Sequence, residues 1–91
     1  MKTIWKITLA PDNVFQVPVG AEILSVHAQR DEICLWMKVD PDAPREPRRF
    51  TAYATGGEVP DGPMTFLGSV YMHGGSLVFH VFEQKGSPCR G

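Results

Sequence analysis

The stretch Leu67-Gly68-Ser69-Val70-Tyr71-Met72-His73-Gly74-Gly75-Ser76-Leu77-Val78-Phe79-His80-Val81-Phe82-Glu83 decides the fold. Two runs rich in β-branched and aromatic residues flank a Gly-Gly pair. Glycine accepts the positive φ that a two-residue hairpin turn demands, so the stretch predicts two antiparallel strands joined at Gly74-Gly75. In that register His73 faces Ser76, Tyr71 faces Val78, Ser69 faces His80 and Leu67 faces Phe82. One face then carries Phe66, Gly68, Val70, Met72, Leu77, Phe79 and Val81, an apolar set that belongs in a core. The other interleaves aromatic and aliphatic groups with Ser69, His73 and His80. Such a mixed face suits a subunit interface or a ligand better than bulk solvent.

The same grammar recurs upstream. Thr3–Leu9 sets Trp5, Ile7 and Leu9 against Lys6 and Thr8, the period of a strand. Pro11-Asp12-Asn13 ends it. Val14–Val19 follows, and Pro18 marks it as an edge strand or a strand end. After a turn at Gly20, Glu22–Gln29 and Ile33–Val39 pair around Arg30-Asp31. Their apolar face holds Leu24, Val26, Ala28, Ile33, Leu35 and Met37; the mixed one holds Ile23, Ser25, His27, Cys34, Trp36 and Lys38. Asp40–Arg48 contains Pro41, Pro44 and Pro47, which remove backbone donors, so it reads as a loop. Arg49–Thr55 is a fifth strand, Gly56–Pro63 a second loop, and Thr65–His73 and Leu77–Glu83 close the domain. The expected fold is all-β, with about seven antiparallel strands in a small sandwich or partly open barrel. Residues 1–84 form one domain, and 85–91 a flexible tail.

Composition narrows the function classes. A chain of 91 residues, 43% hydrophobic, supports one modest core. It buries only about 60–65% of its unfolded surface, so self-association is an expected remedy. A net charge of −1 argues against a broad basic surface for nucleic acid. No apolar run approaches the roughly 18 residues of a membrane span. The opening Met1-Lys2-Thr3-Ile4-Trp5-Lys6 reads as a strand start, without the apolar run of a signal peptide. The two cysteines, Cys34 in a strand and Cys89 in the tail, are too few for a disulfide-stapled secreted domain. They are read as free thiols in a reducing cytoplasm.

Chemistry is sparse. His27, Cys34, His73 and His80 lie on two separate hairpins without Cys-x-x-Cys or His-x-His spacing, so neither a metal nor another cofactor is expected. A Cys–His pair here lacks the glycine elbow or helix N-terminus that activates a nucleophile, so no catalytic residue is assigned. Asp40, Asp42, Glu46, Glu58 and Asp61 read mainly as solvated loop charge, with Asp40 and Asp42 capping turns. Arg45, Arg48 and Arg49 place three guanidiniums within five residues. Arginine grips phosphate bidentately, although local pairing with Asp40, Asp42 and Glu46 competes. A proline-stiffened arginine loop beside an aromatic face fits an anionic, ring-bearing ligand. Arg45, Arg48 and Arg49 would hold phosphate, Trp36, Tyr53 or Tyr71 would stack a ring, and His73 or His80 would add hydrogen bonds.

Four segments carry a family likeness: Met1–Lys6, Gly20–Val26, Cys34-Leu35-Trp36 with Val39-Asp40-Pro41, and His73–Glu83. Together they resemble a family of small proteins from tailed phages and prophages, over most of the chain to about Glu83. The resemblance implies no catalytic residues. It implies an accessory or anti-defence role and, by analogy with other small phage proteins, sequestration of a nucleotide immune signal. The expected function is therefore a non-enzymatic, oligomeric phage-type accessory protein that binds an anionic small molecule. The alternative is a protein-binding or inhibitor module that engages a host or virion protein through its mixed aromatic and histidine face.

Overall fold

The computed structural model describes residues 1–10 and 14–84. The predicted break at Pro11-Asp12-Asn13 and the predicted tail from Lys85, Cys89 included, lie outside the described residues. The elements are β1 (Thr3–Thr8), β2 (Val14–Pro18), β3 (Glu22–Gln29), β4 (Glu32–Val39), β5 (Arg45–Ala54), β6 (Met64–Met72) and β7 (Leu77–Gln84). A short 3-10 turn, His73–Gly75, joins the last two. The strands form two antiparallel sheets, β1-β4-β3 and β2-β5-β7-β6, which do not close into a barrel. This is the expected all-β fold of seven antiparallel strands. Among the described residues no helix is long and apolar enough to cross a membrane.

The inner faces meet as alternation requires. Ile7, Val26, Leu35, Met37 and Val39 of the first sheet form one buried cluster with Val17, Phe50, Val70, Met72 and Val81 of the second. Leu35, Met37, Phe50 and Val81 are fully buried, each contributing about 1.5–3 kcal/mol by leaving water. Pro18 ends β2, an outermost strand, where its missing donor costs no central ladder bond.

The Arg30-Asp31 turn has the expected register, with Gln29 opposite Glu32 and His27 opposite Cys34. Both turn residues take positive φ, 54° and 63°, the pattern of a type I′ turn built without glycine. The last hairpin also pairs Tyr71 with Val78 and Ser69 with His80 as expected. Its turn is longer than two residues. His73 takes a φ of 54° and Gly74 one of 68°. Instead of facing Ser76 across the ladder, His73 accepts hydrogen bonds at its carbonyl from the Ser76 amide (3.3 Å) and hydroxyl (2.9 Å).

Three expectations are corrected. First, β6 bulges between Phe66 and Gly68, so Phe66, not Leu67, lies opposite Phe82. One extra residue reverses the side-chain parity. Leu67 packs against the core, while Phe66 is 56% exposed. Second, a similar irregularity between Ile23 and Ser25 in β3 sets Ile23 against the core and leaves Leu24 exposed. Leu77, at the start of β7, is likewise exposed. Third, β5 begins at Arg45, not Arg49, so the three arginines stand on a strand and not in a loop. Over Arg45–Arg49, β5 pairs with β2; over Phe50–Ala54 it pairs with β7. Pro47 is tolerated because that part of the strand has a single ladder neighbour.

Candidate functional site

The outer face of the second sheet collects rings that the core does not take. Tyr53 and Phe82 meet edge-on at 5.9 Å between centroids, and Phe66 tilts against Phe82 at 5.3 Å. Strand alternation explains the grouping. Tyr53 of β5, His80 and Phe82 of β7, and Ser69 and Tyr71 of β6 all have outward parity. The bulge adds Phe66 to this set. Tyr71, 68% exposed, extends the face toward the end of β6.

His80 anchors the polar part of this surface. Its Nδ1 lies 2.9 Å from the Ser69 hydroxyl and its Nε2 lies 2.9 Å from the Thr55 hydroxyl. A hydroxyl can donate or accept, so both ring nitrogens have a partner within the chain. The ring can therefore be covered by another surface without losing water from an unpaired nitrogen.

The predicted ligand set does not converge. Tyr53, Tyr71 and His80 share the outer face just described. Trp36 lies on the outer face of the other sheet, opposite Ser25 and against His27. His73 sits exposed in the final turn. Arg48 parts from Arg45 and Arg49 because adjacent strand residues face opposite sides. Arg45 stacks over the Trp5 ring at 4.8 Å. Arg49 has outward parity like Tyr53, at the end of β5 paired with β2. Arg48 points inward and is consumed by structure. Its Nε donates to Glu83 Oε2 at 2.6 Å, its Nη2 to Glu83 Oε1 at 2.7 Å, and its Nη1 to the Ala21 carbonyl at 2.7 Å. Both side chains of this pair are 17% exposed. The pKa of Arg48 is raised, first by its hydrogen bonds to Glu83, against the opposing effect of burial.

A cleft of about 430 Å³ opens where Ile33 of the first sheet faces Ala52, Met72 and Phe79 of the second. Asp31 and Glu32 also line it, which disfavours an anion there. Cys34 is a buried free thiol under Thr8, with 3.6 Å between sulfur and hydroxyl. Among the described residues no group of three or more His, Cys, Asp or Glu is placed to hold a metal.

The chain belongs to the DUF7352 family, a domain of unknown function whose model matches residues 1–89. Comparison with curated proteins and with solved structures gives no match. In this DUF7352 chain the sequence reading did not place Phe66 on the working face or Glu83 beside Arg48. Gly68, a glycine inside a strand pattern, is the signal for the bulge that turns Phe66 outward. Glu83 carries the lone charge of the β7 sequence, the signal for a charged partner.

Proposed function

We propose that this DUF7352 chain is a non-enzymatic accessory module that docks onto a protein through the outer face of its second sheet. The contiguous cluster of Tyr53, Phe66 and Phe82, with exposed Tyr71 beside it, is the observation that carries this reading. Rings of this kind anchor protein interfaces because they bury much area with few rotamers to freeze. The internally satisfied His80 adds polarity without a large desolvation cost. The resemblance to small phage and prophage proteins supports a host or virion protein as the partner, met in the host cytoplasm. An anionic nucleotide ligand has less support, because Arg48 is committed to Glu83 and Ala21 and Arg45 is stacked over Trp5.

A photo-cross-linking amino acid placed at Phe66, and in a second variant at Ile4, tests the reading in cells that encode the protein. The two positions are similarly exposed, at 56% and 59%, but belong to opposite sheets. The expected result is one adduct of defined mass from position 66 and none from position 4. Equal adducts from both positions, or none from 66, would contradict the docking face.

A further inference from the structure

Where the end of β1 and the β3–β4 turn face the middle of β5, the core stays open. Leu9, Ile33, Ala52 and Phe79 pack against the core there yet remain half-buried, with buried Met72 beside them. Together they line the cleft of about 430 Å³, a size within the roughly 300–1,000 Å³ of small-molecule sites. The local sequence explains the room. Phe50 is fully buried, so alternation along β5 turns Ala52 to the same side. Alanine offers one methyl group where a longer side chain would close the gap. The rim is acidic. Asp31 and Glu32, both exposed, line the cleft, and among the described residues no lysine, arginine or histidine does. The ion pairs among the described residues are Lys38–Glu22 and Arg48–Glu83, so neither rim carboxylate is neutralised by such a pair. Arg30 and Lys6 line a separate depression beside Cys34, which Glu32 also borders.

From this we infer that the cleft binds a small organic cation, a hydrophobic amine in its ammonium form. Its apolar body takes water's place against Leu9, Ile33, Ala52, Met72 and Phe79. Met72, unbranched and polarizable, adjusts to the shape of that body. The positive head stays at the mouth beside Asp31 and Glu32, where it keeps part of its hydration and meets opposite charge. An anion would meet like charge at the same mouth. A neutral solute of the same shape would gain the apolar contact and forgo the attraction. A recess between two layers suits a small molecule better than the flat surface of a folded partner. None of the docking rings Tyr53, Phe66, Tyr71 and Phe82 lines the cleft. The inference is therefore independent of the docking partner: loss of the Phe66 cross-link would remove that partner and leave amine binding standing.

Titration of the full chain with n-octylammonium, n-octanol and n-octanoate is the test, because the three probes share one apolar body and differ in the charge of the head. NMR of the Ile33 and Met72 methyl groups reports where each binds. The expected result is a saturable shift at both methyls, with octylammonium bound about tenfold more tightly than octanoate and octanol between them. Asp31→Asn/Glu32→Gln should bring the three affinities together. Asparagine tolerates the positive φ of 63° at that position, so the turn is kept. Ala52→Leu fills the cleft and should weaken all three probes, again by about tenfold. Circular dichroism confirms that both variants keep their sheet content. Equal binding of octylammonium and octanoate would overturn the inference, as would a preference for octylammonium that survives Asp31→Asn/Glu32→Gln. Shifts that fail to saturate, or that gather at Tyr53 and Phe66 instead of Ile33 and Met72, would also overturn it.

Discussion

Arg48 reaches from β5 to Glu83 of neighbouring β7 and to the carbonyl of Ala21, tying β5, β7 and the turn before β3 together. Its raised pKa means that its contribution is complete below the ordinary arginine value and is lost only as pH rises through the higher folded one. The arginine side of the clamp is therefore indifferent to pH across the neutral range. Glu83→Ala leaves the guanidinium poorly solvated and uncompensated, and should cost about 3 kcal/mol in urea unfolding. Arg48→Met/Glu83→Leu removes both charges together and should recover most of that loss. The same experiment on the core should rank Phe50→Ala, at a fully buried site, as about 3–5 kcal/mol destabilising. Phe79→Ala should cost less, because Phe79 is half-buried and lines the open cleft. At this scale the sequence discloses the residue types of a charged cluster and not their directions. Arg48 and Arg49 are neighbours in sequence and face opposite sides of one strand, a fact that depends on where β5 begins.

Strands and turns were legible wherever alternation and turn chemistry agree. The hairpin around Arg30-Asp31 has the expected register although neither turn residue is glycine. That mismatch yields a prediction. Arg30→Asn/Asp31→Gly suits a type I′ turn and should stabilise by about 1 kcal/mol, raising Tm by roughly 4–8 °C in a scanning calorimeter for a domain this small. An unchanged Tm would mean that the turn is not strained. The bulges at Leu67 and near Leu24 were illegible to strict alternation, because one inserted residue leaves each half of the strand in phase with itself. The start of β5 was hidden by Pro47, which excludes a central ladder position and not a position with a single ladder neighbour.

At the scale of the whole molecule, the second sheet presents an outer face with clustered rings. The mixed face was legible in the last hairpin, because Ser69, Tyr71, His80 and Phe82 alternate with core residues. Its full extent was not, because Tyr53 arrives through the pairing of β5 with β7, a contact between strands distant in sequence. The two functional readings differ in what the chain retains when it leaves the cell. Native mass spectrometry of protein purified from cells that encode it separates them most directly. The docking account predicts a retained protein partner of defined mass, lost in Phe66→Ser/Tyr71→Ser and kept in Arg45→Ala/Arg49→Ala. A retained small anion with the opposite dependence on these variants would contradict it.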